Sequence, residues 1–167
     1  MTREVRLTPD SNQFLIVTAE TASQLDVVRK LLLEYWRSRD LRLSVFNFDR
    51  ELAGLPGEYA PPSGRLLLAL CNDKAAGCVA LRKLEPEICE MKRLYLREKF
   101  RGIGLGRTMA LAIIAEARGI GYRRMRLDTI GPSMGEALAL YHRLGFRDIA
   151  PYRNNPLEGA RYLELVL

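Results

Sequence analysis

A glycine-rich loop offers the chain's clearest site for chemistry, with the residues Arg101-Gly102-Ile103-Gly104-Leu105-Gly106. Glycine has no Cβ, so the backbone of such a loop can approach a ligand closely. The loop precedes a helix-like run, and a helix N-terminus presents free N–H groups and a positive dipole end to a phosphate. Arg101 and Arg107 add positive charge on either side. We interpret the loop as a binding site for a pyrophosphate group.

The spacing of the loop excludes the two most familiar phosphate-binding motifs. A dinucleotide fingerprint that began at Gly102 or Gly104 would need glycine where Arg107 and Met109 stand. A P-loop would need four residues between two glycines and a lysine after the second, a spacing that is missing here. The loop instead follows the pattern R-x-x-G-x-G. A glycine-rich helix start without a ligand stays open as an alternative until the neighbouring elements are considered.

Composition indicates one soluble domain, residues 1–167. The 167 residues, 48% of them hydrophobic, suffice for a buried core. No apolar run approaches the roughly 18 residues of a membrane span, and the polar segment Met1–Asp10 has no apolar signal core. We therefore expect a cytoplasmic protein with no membrane partner. The cysteines lack the C-x-x-C spacing of a zinc site, which favours buried free thiols and no metal; they are Cys71, Cys78 and Cys89.

The net charge of +6 is compatible with nucleic acid or with any other polyanionic ligand. One group of basic residues surrounds the glycine loop and interleaves with aromatic side chains, as in some RNA-binding surfaces. A second group, further along the chain, is interpreted as a solvated face. The first group is Lys92, Arg93, Arg97, Lys99, Arg101 and Arg107, and the second is Arg123, Arg124 and Arg126.

Hydrophobic periodicity and turn residues predict alternating strands and helices. We expect strands at 14–18, 65–71, 76–84, 88–96, 123–129, 146–150 and 160–166. We expect helices at 21–39, 104–118 and 133–145, and residues 41–55 are ambiguous between a short helix and a loop. Capping boxes open the first and third helices, as Thr21 with Gln24 and Ser133 with Glu136. Two strand–helix–strand units imply some parallel pairing within a mixed sheet.

A second motif, A-x-x-L-Y-x-x-x-G-F, closes the last predicted helix as Ala137, Leu140, Tyr141, Gly145 and Phe146. With the glycine loop and the element order, it resembles the GNAT superfamily of N-acetyltransferases over nearly the whole chain. The resemblance implies an α/β (mixed α+β) fold: a central mixed sheet of six to seven strands, helices on both faces, and two splayed parallel strands that bind acyl-CoA. It also implies an enzyme that moves an acetyl group from acetyl-CoA to an amine by direct attack in a ternary complex.

By this resemblance, acetyl-CoA inserts between the strands at 88–96 and 123–129. Leu94, Tyr95 and Leu96 would border it, and the backbones of Leu94 and Leu96 would pair with its pantetheine arm. Ser133 is a weaker candidate for CoA contact, because capping the next helix is an alternative role. The pyrophosphate would lie against the loop residues Arg101, Gly102, Ile103, Gly104, Leu105, Gly106, Arg107 and Thr108.

The resemblance also suggests catalytic residues. Tyr141 is the candidate general acid for the CoA thiolate, since a phenol can donate a proton to sulfur, and packing on its helix is the alternative. Glu90 is the candidate general base, directly or through a water, because the histone-acetylating branch of the family carries a glutamate at the matching place. The alternative for Glu90 is a surface carboxylate that pairs with Lys92 or Arg93. His142 is expected to point away from the core, at the surface.

The acceptor is expected over segments 32–59 and 152–161, whose aromatic and arginine side chains would suit a small primary amine bearing a carboxylate. A protein N-terminus or a lysine side chain stays open as the acceptor. A domain that senses acetyl-CoA or binds nucleic acid without turnover is the second hypothesis, which the presence of both catalytic candidates disfavours. Dimers are common in the family, so a homodimer is one expectation. The candidate residues are Tyr35, Trp36, Phe46, Phe48, Tyr59, Tyr152, Arg153, Asn154 and Asn155.

Overall fold

The computed structural model describes residues 2–6, 13–38, 45–130, 135–154 and 158–167. Its strands are β1 (Thr2–Arg6), β2 (Gln13–Thr18), β3 (Arg65–Cys71), β4 (Lys74–Glu85), β5 (Ile88–Leu96), β6 (Arg124–Ile130), β7 (Arg147–Asp148) and β8 (Ala160–Val166). Its helices are α1 (Ala22–Arg37), α2 (Val45–Ala53), α3 (Leu105–Ile120) and α4 (Gly135–Arg143). No helix of the described ranges has both the length and the apolar character needed to span a membrane.

The strands form one mixed sheet in the order β1-β2-β3-β4-β5-β6-β8-β7. Neighbours pair antiparallel except β5 and β6, which are parallel. Helices α1 and α2 bury apolar residues such as Val28 and Phe48 against one face, and α3 buries Met109 and Ile113 against the other. We refer to these as the α1/α2 face and the α3/α4 face. The expected fold class is confirmed, with the unpredicted strand β1 bringing the sheet to eight strands.

Several predicted boundaries are confirmed and others are corrected. The strands at 65–71, 88–96 and 160–166 match, the first capping box forms, and the cysteines are buried and free. The ambiguous stretch 41–55 contains helix α2. The strand expected at 146–150 was too long, because β7 pairs with only two residues of β8 and Pro151, which has no N–H to donate, follows shortly after. The Ser133 capping box lies outside the described residues.

Strands β5 and β6 separate soon after they begin. Their register contains three pairs, the last being Glu90 with Arg126, although β5 continues to Leu96 and β6 to Ile130. The register between β4 and β5 shifts opposite Val79, where Arg93 has a left-handed φ of 60°. A bulge of this kind bends its strand and increases the local twist. The sheet therefore has a gap between β5 and β6 from residue 91 onward, as the splayed strands of the resemblance required.

Gly77 permits β4 and β5 to lie close together beside this bend. A Cβ at Gly77 would overlap the carbonyl oxygen of Tyr95 and lie 3.2 Å from the Cα of Leu96. We expect Gly77→Ala to lower the free energy of unfolding by about 1–3 kcal/mol, as overpacking does. Gly119→Ala, inside α3 with no atom within 4 Å of the new Cβ, is the control and should raise it by about 0.5–1 kcal/mol. Urea unfolding measures both, and equal effects of the two changes would contradict this account.

Candidate functional site

The edge of β5 beyond Glu90 turns backbone groups toward the gap. The Arg97 N–H bonds to the Ala76 carbonyl at 2.9 Å, so the backbone of Arg97 faces β4. Because strand residues alternate in direction, Leu94 and Leu96 face the gap instead. The Leu96 carbonyl also accepts a hydrogen bond from Arg101 Nε at 2.9 Å. The predicted pantetheine-binding backbones therefore have the required direction.

The glycine loop leads into an α3 start that has no side-chain cap. Gly102 and Gly104 have φ values of 76° and 87°, in the left-handed region that favours glycine. The first bond of the helix runs from the Thr108 N–H to the Gly104 carbonyl at 3.1 Å, and no side chain caps this end. The N–H groups of residues 105–107 precede that bond and have no partner in the helix. This arrangement presents converging donors of the kind that hold a phosphate.

Most side chains of the loop are engaged within the protein, whereas its backbone is available to a ligand. Leu105 is fully buried and Ile103 packs against the same core, so only their backbones are available to a ligand. The Arg101 guanidinium turns back over the Tyr95 ring, 5.9 Å from its centroid, while Arg107 is exposed. Arg101 therefore joins the loop to the end of β5, and Arg107 is the cation left facing solvent beside the helix start.

Gly106 lies where β5, α3 and α4 converge. A Cβ at Gly106 would lie 3.4 Å from Leu96 Cδ1 and 3.9 Å from Leu140 Cδ2, which are ordinary contact distances. The fold itself therefore tolerates a methyl group at Gly106. A ligand lying against this backbone would meet that methyl group.

Tyr141 approaches from the α3/α4 face. Its side chain is 6% exposed, its ring packs edge-on against Phe146 at 5.7 Å, and it shares a core with Met91 and Met125 from the two separating strands. The packing role and the acid role are compatible with this position, and the acid role stays a prediction. His142 lies at the surface, with Nε2 2.9 Å from Asp148 Oδ2.

Glu90 is fully buried on the α1/α2 face, and both of its carboxylate oxygens accept hydrogen bonds. Arg82 Nε donates to Oε1 at 2.9 Å, and the Tyr152 hydroxyl donates to Oε2 at 2.6 Å. Arg153 Nη1 lies 3.5 Å away and Lys92 Nζ 4.0 Å away. The expected ion pair with Lys92 is therefore present, whereas Arg93 pairs with Glu51 instead. The surface position of that alternative is wrong because Glu90 is buried, and the base role of Glu90 stays a prediction.

Arginines of both basic groups are paired with carboxylates inside the fold. Arg93 binds Glu51 of α2 at 2.6 and 3.0 Å, and Arg97 binds Glu34 of α1 at 2.7 and 3.0 Å. The interpretation of the second basic group as a solvated face is wrong for Arg126, whose side chain is only 17% exposed. Strand pairing aligns Arg126 with Glu164 of β8, so a salt bridge of 2.8 Å replaces solvent. The charges of these three arginines are therefore each balanced by a carboxylate within this face.

Lys92 is a functional candidate that the sequence did not single out. Its side chain is 16% exposed, and burial, together with the nearby Arg93, Arg82 and Arg153, lowers the pKa of Lys92 to about 8. Thr129 is a second one, since its buried Oγ1 has no hydrogen-bond partner among the described residues. The alternation of Glu90 and Lys92 along β5 was the only sequence sign that the two share a face.

The aromatic candidates for the acceptor region pack in pairs. Trp36 stacks on Phe48 at 4.4 Å, Tyr35 meets the Tyr95 ring edge-on at 5.7 Å, and Tyr152 meets Tyr162 edge-on at 5.3 Å. Arg153 bonds to Asp128 of β6 at 2.6 and 3.1 Å. The predicted residues thus border the α1/α2 side of the gap from both flanks. The Phe46 side chain, Asn155 and Ser133 lie outside the described part.

Comparisons with known proteins agree with this geometry. A family model described as the acetyltransferase (GNAT) family matches residues 25–146. An uncharacterised N-acetyltransferase of Schizosaccharomyces pombe is 36% identical over 152 residues, covering 90% of this chain and 93% of the relative. An acetyltransferase structure from Streptococcus agalactiae superposes with a TM-score of 0.78 at 21% identity, covering 92% and 98% of the two chains. A GNAT family acetyltransferase from Elizabethkingia anophelis with acetyl-CoA bound has a TM-score of 0.64 at 24% identity, covering 92% and 98%.

The contacts of Glu90 make it a structural anchor as well as a catalytic candidate. Removing its carboxylate would leave the Tyr152 hydroxyl without its acceptor and Arg82 with only the exposed Glu58. We therefore expect Glu90→Ala to lower the free energy of unfolding by about 3–5 kcal/mol. Glu87→Ala is the control, since Glu87 and its partner Arg123 are 63% and 76% exposed; it should cost at most about 1 kcal/mol. Guanidinium unfolding compares the two variants, and a Glu90→Ala cost as small as the control would refute the anchoring role.

Proposed function

The chain belongs to the GNAT family of acetyltransferases, and we propose that it transfers an acetyl group from acetyl-CoA to a primary amine of a small molecule. The family match and the N-acetyltransferase relative confirm the resemblance seen in the sequence and the acyltransferase class. The observation that carries the proposal is the separation of β5 from β6 after three pairs, with an uncapped helix start at the outer end of the gap.

The gap and the loop together suit the shape of acetyl-CoA. The pyrophosphate would accept hydrogen bonds from the backbone N–H groups of residues 102–107, with Arg107 adding charge. The pantetheine amides would then pair with the backbones of Leu94 and Leu96 as a short added strand. Acetyl-CoA bound in the Elizabethkingia anophelis neighbour supports this choice of co-substrate.

Acetyl transfer then needs groups on both faces of the sheet. The acceptor nitrogen loses a proton and attacks the thioester carbonyl carbon, the C–S bond breaks, and the CoA thiolate takes a proton. We assign the thiolate proton to Tyr141, which approaches the gap from the α3/α4 face. Glu90 lies on the opposite face, but as a base it would have to exchange its contacts with Arg82 and Tyr152 for a proton. Its geometry therefore supports a positioning role more strongly than direct proton transfer.

The acceptor would enter over the α1/α2 face, between the aromatic pairs. Half-buried arginine and tyrosine side chains there suit a small amine that carries a further polar group. The nucleic-acid alternative is weakened because Arg82, Arg93, Arg97, Arg126 and Arg153 are all engaged with carboxylates.

A panel of acceptors tests the proposed function directly. Thiol release at saturating acetyl-CoA would be followed with amino acids, alkyl and aryl amines, and short peptides with free or blocked N-termini. The proposal predicts the fastest release with a small amine. Thiol release with peptides alone would identify the acceptor as a protein N-terminus or a lysine side chain. Acetyl-CoA binding without release for any amine would support a sensing module instead.

Tyr141→Phe tests the proposed acid. Removing the hydroxyl should lower kcat by about 100-fold, the lower end of the range for general acid catalysis, while KM for acetyl-CoA changes little. Tyr122→Phe is a matched control, because the Tyr122 hydroxyl donates to the Ser63 carbonyl at 2.7 Å, away from the gap. Steady-state kinetics on the best amine of the panel decides, and an unchanged kcat in Tyr141→Phe would remove this residue from the mechanism.

Gly106→Ala tests the position of the pyrophosphate. The added methyl group has only ordinary contacts within the protein, so the variant should fold normally. It would project toward the bound pyrophosphate, and we expect KM for acetyl-CoA to rise about tenfold, which corresponds to about 1.4 kcal/mol. Gly119→Ala, at the other end of the same helix, should leave KM unchanged. Equal KM values for the Gly106 variant and the unchanged protein would place the pyrophosphate elsewhere.

A further inference from the structure

Building on the proposed function, we propose that Lys92 is the base that takes the proton from the acceptor's ammonium group. Lys92 stands two residues after Glu90 on β5, so both side chains lie on the α1/α2 face, where the acceptor would enter. Glu90 belongs to the last pair between β5 and β6. Lys92 therefore stands at the inner end of the gap, just where the two strands part.

The position of Lys92 matches the reacting end of acetyl-CoA. The phosphate loop follows the outer end of β5, after Leu96. Lys92 lies four residues before Leu96 on β5, a distance of roughly 13 Å at 3.3 Å per strand residue. The thioester is the part of acetyl-CoA farthest from its pyrophosphate. A cofactor bound along the gap with its pyrophosphate at the loop would thus bring the thioester toward Lys92.

The charges around Lys92 make its neutral form more accessible than that of an exposed lysine. Its Nζ lies 4.0 Å from Glu90 Oε1, beyond hydrogen-bonding distance. Facing it are Arg93 on its own strand, Arg82 of β4 and Arg153 ahead of β8, while Glu51 of α2 adds a more distant negative charge. Burial and the arginines outweigh Glu90 and lower the pKa of Lys92 to about 8. An exposed lysine, with a pKa of about 10.4, would be almost entirely protonated at neutral pH.

Glu90 is less suited to the same step. It is fully buried, and its oxygens already accept from Arg82 and Tyr152. Protonation would remove the charge that holds these donors together. Glu90 acts through them as a positioning residue, keeping the cations beside Lys92 in place.

The proposed step is balanced in protons and electrons. The lone pair of neutral Nζ forms a bond to one ammonium proton of the acceptor, and the acceptor N–H bond breaks, leaving its electron pair on nitrogen. That free amine attacks the thioester carbonyl carbon, and the C–S bond breaks with its electron pair going to the CoA sulfur. The sulfur takes its proton from Tyr141, the acid assigned above, and the second proton that the acceptor nitrogen loses as the amide forms restores the Tyr141 hydroxyl through solvent. Lys92 then returns its proton to solvent, because its ammonium form is the less stable one above about pH 8.

The titration of Lys92 can be measured without an acceptor. The wild-type protein would be labelled with [ε-13C]lysine and its Lys92 resonance assigned by comparison with Lys92→Met. A midpoint near pH 8 is expected. A midpoint at the ordinary lysine value would overturn the proposal, because Lys92 would then carry a proton throughout the working range.

Kinetics with two acceptors distinguishes a base from a structural residue. Ethylamine is protonated at pH 7, whereas 2,2,2-trifluoroethylamine is weakly basic and mostly neutral. We expect Lys92→Met to lose at least about 100-fold in kcat with ethylamine, and to keep near wild-type rates with trifluoroethylamine, with KM for acetyl-CoA unchanged. The control is Lys83→Met, an exposed lysine of β4, which should behave as wild type with both amines.

Each outcome separates this inference from the function on which it rests. A selective loss with ethylamine supports Lys92 as the base. Equal losses with both amines, or no loss with either, overturn it while leaving the acetyltransferase proposal intact. Failure of the wild-type protein to acetylate any amine counts against the proposed function. The titration midpoint of the Lys92 carbon resonance then shows independently whether Lys92 can lose its proton near pH 8.

Discussion

The separation of β5 from β6 is the constraint on which the site depends. A buried strand edge normally pairs its N–H and C=O groups with a neighbour, and leaving them unpaired is costly. Here the register ends at Glu90 and Arg126, and the bulge at Arg93 directs β5 away from β6. The exposed edge is complementary to a ligand that carries amides of its own. Pantetheine is such a ligand, and we propose that acetyl-CoA binding offsets the cost of the open edge.

Other parts of the fold maintain this separation. Arg93 occupies a left-handed conformation at the bulge, and its guanidinium is held by two hydrogen bonds to Glu51 of α2. Gly77 has no side chain opposite the bent strand, which lets β4 follow β5 closely. At the outer end, Arg101 joins the glycine loop to Leu96. The glycine loop and the open edge are therefore connected directly, with the bulge further along the same strand.

The gap also divides the chemistry between two faces of the sheet. On the α3/α4 face the surroundings are largely apolar, and Tyr141 is one of the few polar groups among the described residues of that core. On the α1/α2 face, buried carboxylates and arginines surround Glu90 and Lys92. An acceptor amine and a CoA thiolate need opposite proton movements. A sheet that is open between two such different faces can place one group for each movement on its own side of the thioester.

Local features of the sequence predicted the fold and suggested part of the candidate site. The glycine loop, the Tyr141 motif and several strand bounds are encoded within a few neighbouring residues, and they needed no knowledge of tertiary contacts. The surroundings of Glu90 could not be predicted in this way. Its partners Tyr152 and Arg153 lie 62 and 63 residues away, and only strand pairing brings them together. The bulge was also hidden, because the run 88–96 shows no glycine or proline where it bends.

Amide hydrogen exchange, followed residue by residue with and without saturating acetyl-CoA, tests the central claim most directly. The account predicts that the amides of Leu94, Leu96 and residues 102–107 exchange quickly in the free protein and slowly in the complex. The amide of Arg97, which already bonds to β4, should change little. Protection confined to other parts of the sheet, or no protection at saturation, would contradict the claim that acetyl-CoA completes the open edge of β5.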